Sequence, residues 1–361
     1  MGTASAKYSV ECSHVIYHAH LRLQSENLMV KSNHRYPTST DVARLAGVSQ
    51  SAVSRTFTRD ASISTALREK VLAAASELGY RPNALPGIMQ GQRSHMVAIV
   101  IGGMYNPFYA QVLDFLTRKL QSKGQQVLLS RVESDHALDG AIDQIARYRV
   151  DAVVSALAVI TDETAQKFSA ARIPVVAFNN HTKASWVNSI NSDNVSAGRH
   201  AADLFIDKGL SSLGFIHGPQ ASPAEIERFQ GFTQRLIECG MPAPLESTGD
   251  YSYSGGQDAL RHMWKNKKKP TGIFCANDLM ALGAMDILRH ELKLSVPEDV
   301  SIIGYDNIDI SSWLGYRLTS FDQDIESMTS RAVELILNND LDRDSSIITI
   351  TPTLIKREST G

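Results

Sequence analysis

From residue 96 onward the chain alternates short apolar runs with amphipathic segments, and the alternation is duplicated. Apolar runs at 96–101, 126–129, 152–155, 174–178, 213–216, 272–275 and 300–304 read as strands. Between them, 108–123, 139–148, 195–208, 223–239 and 279–291 read as helices. A strand that is apolar along its whole length is buried on both faces, and helices supply the two covers. The pattern therefore predicts an α/β fold with doubly wound parallel sheets. MVAIVIGG (96–103) corresponds to SLGFIHGP (212–219), VDAVVSALA (150–158) to PTGIFCAND (270–278), and IPVVAFNN (173–180) to VSIIGYDN (300–307). The offsets of 116, 120 and 127 residues describe two similar half-domains in tandem.

Open α/β sheets bind ligands beyond the carboxyl ends of their strands. Two such halves facing each other enclose a cleft lined by the loops that follow the strands. Those loops hold Asn106 to Tyr109, Asn179 and Asn180, residues 218–228, Asn277 and Asp278, and Asp306 and Asn307. Asp, Asn and Arg side chains, with Phe108, Tyr109 and Tyr251, suit a polyhydroxylated or carboxylated small molecule. Carboxylates and amides take hydroxyl hydrogen bonds, and aromatic rings stack on apolar ring faces. A plainer role stays open for some of them: Asn179 and Asp306 as caps of helices or turns, Arg228 as a surface cation. No G-x-G-x-x-G follows Ile101, and there is no Walker loop and no G-x-S-x-G elbow. No catalytic residue and no cofactor are expected.

The 361 residues carry 36 Lys+Arg against 38 Asp+Glu, a net charge of -2 that conceals an asymmetry. Residues 31–94 hold nine basic and four acidic residues, net +5, whereas 95–361 hold 25 and 32, net -7. A small basic head on an acidic body suits nucleic-acid contact at one end only. Within the head, Ser39, Thr40 and Asp41 offer capping oxygens, and Val42, Ala43 and Ala46 share one helical face. Gly47 closes that helix, because a left-handed backbone costs glycine little. Ser49 can cap a second helix with Ala52, Val53 and Phe57 inward and Gln50, Ser51, Ser54 and Arg55 outward. A third follows Ser64, with Leu67, Val71, Ala74, Ala75 and Leu78 inward, and stops at Gly79.

Two short helices about a glycine turn make a helix-turn-helix. The outward residues suit a major groove: Gln bridges two base-edge atoms, Arg reads guanine or grips phosphate, and Ser permits close approach. A three-helix packing unit with a solvated polar face fits the same pattern. In the connector, Asn83 can cap a short helix in which Pro86 is tolerable only near the first turn. Ile88 and Met89 are its apolar residues. They suit either a hinge packed on a neighbour or a helix that forms on DNA and wedges an apolar side chain into the minor groove.

Cys12, Cys239 and Cys275 are far apart and odd in number, without zinc spacing or a disulfide framework, which fits a reducing cytoplasm. No apolar run reaches 18 residues, so no membrane span is expected. The first 28 residues lack the apolar stretch of a signal peptide. Met29 offers an alternative start, and the segment reads as a tail without a folded role. His14, His18 and His20 have no second ligand group beside them, so no metal site is expected. Lys267 to Lys269 read as a solvated loop.

These residues resemble the LacI/GalR family of bacterial transcription regulators. TSTDVARLAGVSQSAVSRTF and ISTALREKVLAAASELGYRPNAL look like that family's DNA-binding head. NPFYAQVL, IPVVAFN, GFIHGP, ERFQGF, IFCANDLMALGAMDIL, VPEDVSIIGYDN, LTSFDQD and PTLIKREST continue the likeness in unbroken order to the end. The resemblance implies a cytoplasmic homodimeric repressor that binds a pseudo-palindromic operator in double-stranded DNA. It further implies a periplasmic-binding-protein-like body whose small-molecule effector, a sugar or sugar acid, shifts the two halves and alters operator affinity through the linker helices.

By position, Gln50, Ser51 and Arg55 should read bases, with Thr38, Ser49, Ser54 and Asn83 near the DNA backbone. Met89 stands where the family usually has a minor-groove Leu, and Pro86-Gly87 departs from a more helix-friendly linker. Effector contacts fall to Phe108, Tyr109, Asn179, Ser222, Arg228, Tyr251, Asn277 and Asp306. Ser222 and Ala224 replace the Arg and Thr of the purine-binding pattern, which argues against a purine. No leucine heptad tail closes the chain, so a dimer of dimers is not expected. The implied domains are a tail at 1–36, a helix-turn-helix at 37–82, a hinge at 83–94 and an effector and dimerisation body at 95–361. The halves of that body take about 95–191 with 325–351, and about 192–321 with 352–361. A sugar-binding receptor of the periplasmic type without a DNA role is the alternative that the body alone permits; the head and the missing signal peptide argue against it.

Overall fold

The computed structural model describes residues 36–58, 61–83, 85–89, 93–102, 106–132, 141, 142, 144–156, 160–181, 184–219, 222–338 and 345–361. The expectations for the tail, Met29, the three histidines and Cys12, and part of the 139–148 helix, lie outside the described residues. The chain divides into two compact units, up to Pro86 and from Gly87.

In the first unit, α1 (Ser39–Ala46), α2 (Gln50–Phe57) and α3 (Thr65–Leu78) enclose Val42, Ala43, Ala46, Val53, Val71, Ala74 and Ala75. Phe57 meets Tyr80 edge to face at the rim of this core. The cap of α1 is Thr38, one residue before the triplet that the sequence suggested. It forms a reciprocal box with Asp41, whose carboxylate accepts from the Thr38 N–H and hydroxyl. Asp41 serves as the acidic partner of that box rather than as the cap. Gly47, at φ 61°, ends α1 with its N–H directed to the carbonyls of Ala43 and Arg44. Ser49 and Ser64 cap α2 and α3. A five-residue helix, α4 (Leu85–Met89), begins in the first unit and ends in the second, with Pro86 in its first turn, where a missing N–H leaves no bond unmade.

The second unit runs β1 (Met96–Ile101), α5 (Pro107–Ser122), β2 (Gln126–Arg131), β3 (Ala152–Ala156), α6 (Asp162–Ala171), β4 (Val175–Phe178), β5 (Val187–Ser192), α7 (Asn194–Asp207), β6 (Leu213–His217), α8 (Pro223–Glu238), β7 (Leu245–Thr248), α9 (Tyr253–Met263), β8 (Gly272–Cys275), α10 (Asp278–Asp286), β9 (Ser301–Tyr305), β10 (Thr319–Asp322), α11 (Ile325–Asn338), β11 (Ile347–Ile350) and β12 (Thr353–Ile355). One sheet has the order β11-β5-β4-β3-β1-β2, the other β12-β10-β9-β8-β6-β7. The duplication seen in the sequence is thus a repeated strand order. The first sheet is parallel throughout, and the second is parallel except for β12, which runs against β10. Alternate residues of β1 enter two cores: Val97, Ile99 and Ile101 one, Ala98 and Val100 the other.

Five strands lie outside the apolar runs read from the sequence. β5 is buried along its length although four of its six residues are Asn or Ser. Pairing explains part of this: Asn188 Oδ1 accepts from the N–H and hydroxyl of Ser346, and Asn191 exchanges hydrogen bonds with the Asn180 backbone. β7, β10, β11 and β12 have only three or four residues each. The helix expected at 279–291 is α10 followed by one π turn, Ile287–Glu291.

Helices α7 and α8 pack backbone against backbone. A methyl group on Gly198 would lie 2.1 Å from the Arg228 carbonyl oxygen, and one on Gly231 would lie 2.1 Å from that of Val195. Gly231→Ala should therefore push the helices apart at a cost of about 1–3 kcal/mol or more. The readout is a thermal midpoint lowered by several degrees. Gly315→Ala, where the added methyl meets open space, should leave the midpoint near that of the parent; equal midpoints for both variants would contradict the packing argument.

Candidate functional site

Two surfaces gather the residues singled out by the sequence. On the head, Gln50, Ser51, Ser54 and Arg55 are all exposed along α2, opposite Ala52 and Val53 in the core. Ser49 uses its hydroxyl to accept from Ala52 N–H and shares a hydrogen bond with Ser51. Gln50 Nε2 donates to the hydroxyl of Ser39, 2.9 Å away at the start of α1. Thr38 is half-buried and committed to its capping box, and Asn83 is exposed. At the end of α4, Met89 is 76% exposed, whereas Ile88 is buried. The carbonyl of Ile88 accepts from Arg149 Nη1 at 3.0 Å.

The second surface is a cleft in the body. In each sheet the chain leaves the first strand toward one edge and then crosses to the other, so neighbouring loops diverge beyond β1/β3 and β6/β8. Such switch points open a crevice at the strands' carboxyl ends. The structure brings Phe108, Tyr109, Asn179, Ser222, Arg228, Tyr251, Asn277 and Asp306 to one pocket there. Asn106, Ala156, Phe178, Ala224 and Gln323 complete its wall. Gln323 follows β10, too short and polar a strand to flag its own loop. The space between these side chains is about 40 Å³.

Arg228 is 4% exposed and is no surface cation. Its Nε donates to Asn194 Oδ1 at 2.8 Å and its Nη1 to the Ala276 carbonyl at 2.6 Å. The guanidinium lies 3.5 Å from the centre of the Tyr305 ring. Asp306 accepts from Gln323 Nε2 at 2.7 Å and from Asn106 Nδ2 at 3.4 Å. Burial raises its pKa to about 6, against the opposing charge of Arg228 and these two donors. Behind it, burial and the charge of Asp306 raise Asp278 to about 7, although two serine hydroxyls and the Ile308 N–H bond to its carboxylate.

The remaining cleft residues are held as firmly. Asn179 Nδ2 donates to Gln323 and its Oδ1 accepts from Ser192 N–H. Asn277 caps α10 and also donates to the Tyr251 carbonyl. Tyr251 donates its hydroxyl to Ser222, which makes no side-chain cap bond of its own to α8. Burial pushes the Tyr251 phenol up to about 12, so it stays a donor. Asn179, Tyr251 and Asp306 have φ of 51°, 67° and 110°. Left-handed backbone in non-glycine residues is uncommon, and three such residues share this wall.

Residues 38–83 match the family described as bacterial regulatory proteins, lacI family, and 202–360 match a periplasmic binding protein-like domain. The ribose operon repressor of Escherichia coli (strain K12) is 29% identical over 334 residues, 89% of this chain and 99% of the relative. The HTH-type transcriptional regulator CelR of Thermobifida fusca is 31% identical over 313 residues, 84% of this chain and 92% of the relative. The crystal structure of the lac repressor dimer bound to operator and the anti-inducer ONPF superposes with a TM-score of 0.81 at 26% identity, over 90% of this chain and 99% of that one. These matches run along nearly the whole length of the relatives, and the chain belongs to the lacI family of bacterial regulatory proteins.

Proposed function

We propose that this regulator is a homodimeric, cytoplasmic repressor. It binds a pseudo-palindromic operator and releases or tightens its grip when a sugar or sugar acid occupies the cleft. The observation that carries the reading is the convergence of a buried cation, Arg228, and a buried carboxylate, Asp306, on one pocket walled by aromatics. A hydroxyl-rich molecule donates to Asp306, accepts from Arg228 and the amides, and lays its apolar ring face on Phe108 or Tyr109. One of the relatives is named for a ribose operon, which supports the sugar class. A catalytic role has no support in these relatives, which are regulators.

Coupling follows from the contacts that a ligand must replace. Asn106, beyond β1, and Asp306, beyond β9, belong to different halves and bond across the cleft. A space of about 40 Å³ accepts a few water molecules at most, so a larger guest parts the halves or rearranges the wall. A ligand hydroxyl that takes the place of Asn106 on Asp306 exchanges a contact between halves for one with the ligand. In the head, Gln50, Ser51 and Arg55 face base edges, Thr38, Ser49, Ser54 and Asn83 flank phosphates, and Met89 enters the minor groove.

Three outcomes test these roles. Arg55→Ala should keep the folded dimer and lose roughly 5- to 100-fold in discrimination between operator and random duplex, while the remaining affinity still falls steeply with salt. Undiminished discrimination would remove Arg55 from the base contacts. A thermal-shift screen of pentoses, hexoses, disaccharides, sugar acids and purines on the full chain should find a stabilising sugar, and Asp306→Ala should abolish that shift while operator binding persists; a shift by purines alone would overturn the effector class. The third outcome concerns pH. The folded-state pKa of Asp306, about 6, lies above its unfolded value, so between about pH 4 and pH 6 the folded chain holds the extra proton and stability falls as pH rises. Asp306→Asn should remove about 2–3 kcal/mol of that decline, read from chemical denaturation at pH 4.5 and pH 7.5; an unchanged slope would place the titrating group elsewhere.

A further inference from the structure

The hydrogen bond from Gln50 Nε2 to Ser39 Oγ, 2.9 Å long, joins the first residue of α1 to the first residue of α2. Neither residue is needed as a cap, because Thr38 caps α1 and Ser49 caps α2. The capping box fixes the backbone of α1 where Ser39 begins it, so the serine hydroxyl is presented from a firm base. Ser39 is half-buried and Gln50 is exposed. The amide is therefore tethered on its inner side and open on its outer side.

A glutamine amide carries one acceptor oxygen and two N–H donors. When the N–H remote from the carbonyl is given to Ser39, the oxygen and the other N–H lie side by side on the open edge. Adenine offers the complement of that edge in the major groove, a donor at N6 and an acceptor at N7, whereas guanine offers two acceptors. Turned over, the amide would take the serine proton on its oxygen and present two N–H groups, the pattern suited to guanine. An untethered glutamine adopts either orientation.

We propose that Ser39 is a positioning residue for operator recognition: it holds the Gln50 amide with its acceptor–donor edge outward, so that Gln50 selects adenine in each half-site. The inference rests on the reading that Gln50 faces base edges.

The test is selection by the full-length protein from a pool of duplexes with two randomised half-sites, followed by equilibrium binding of the selected sites. The parent should prefer adenine over guanine about tenfold or more at one position per half-site, and Gln50→Ala should erase the preference there. Ser39→Ala should shrink it to within about threefold, with guanine gaining and the other positions unchanged, while Ser39→Thr, which keeps the hydroxyl, retains it. Full adenine preference in Ser39→Ala, or guanine preference in the parent at the Gln50-dependent position, overturns the proposal and leaves Gln50 as a base reader. If Gln50→Ala alters no position, the base-reading role of Gln50 fails, and the role of Ser39 fails with it.

Discussion

A guanidinium taken out of water is the constraint on which the body's arrangement depends. Removing an ion from solvent costs several kcal/mol unless surrounding groups replace its hydration, and Arg228 is almost wholly buried. Its replacements come from separate elements: the Asn194 amide at the start of α7, the Ala276 carbonyl just past β8, and the Tyr305 ring at the end of β9. The negative charge of Asp306, next along the chain from Tyr305, adds to them. Tyr305 in turn bonds through its hydroxyl to Ser192, at the end of β5 in the other sheet, at 2.6 Å. The cation thus ties one half of the body to the last strand residue of the other. Loss of any one partner leaves a buried charge short of a bond, which is why the pocket wall is so fully committed to internal contacts.

The same charge demands an exact seat for the helix that carries it. Arg228 stands on α8, and α8 is held against α7 through two glycines that admit no side chain at the contact. Close backbone approach leaves little freedom for the helix to slide, and interiors packed this densely transmit displacement rather than absorb it. The left-handed backbone at Asn179, Tyr251 and Asp306 works in the same direction. Such conformations cost on the order of 1–3 kcal/mol each and persist where the surroundings over-determine them. Here the bonds of Asn179 to Gln323 and Ser192, of Asn277 to the Tyr251 carbonyl, and of Gln323 to Asp306 supply that determination.

Much of this was legible in the residues. Apolar strands, amphipathic helices and the repeat offsets led to two sheets, because burial on both faces leaves an unbroken apolar run that periodicity detects. The eight cleft residues gather at one pocket because the loops after parallel strands all open on the same side of a sheet. What escaped detection had a local pattern at odds with its environment. β5 is buried yet mostly Asn and Ser, its polarity answered by Ser346, 158 positions away, and by the Asn180 backbone across the preceding loop. Asn194 lies just outside the 195–208 pattern, and its bond to Arg228 spans 34 positions. Gln323 follows a four-residue strand with one strongly apolar residue, Phe321. The capping role of Thr38 depends on the Asp41 carboxylate returning the bond, a reciprocity that residue type alone does not mark.

The linker brings the same logic to its smallest scale. A helix of five residues is too short to sustain itself in water, since nucleation outweighs so few propagating bonds. Gly87 weakens it further, and Pro86 gives it only a preset first turn. Contacts from the body therefore contribute to its order: Ile88 is buried, and Arg149 Nη1 donates to the carbonyls of Ile88 and Met89, which as terminal carbonyls of a helix have no partner within it. Arg149 lies one residue beyond Tyr148 and two before Asp151, whose carboxylate accepts from Ser94 and His95 at the entry to β1. The segment that positions the linker helix thus also pins the first strand of the cleft's sheet. Two adjoining hydrogen-bonded anchors thus join the last residues of α4 to the entry of that sheet. A linker helix that borrows its order from such contacts is only as stable as the segment that supplies them.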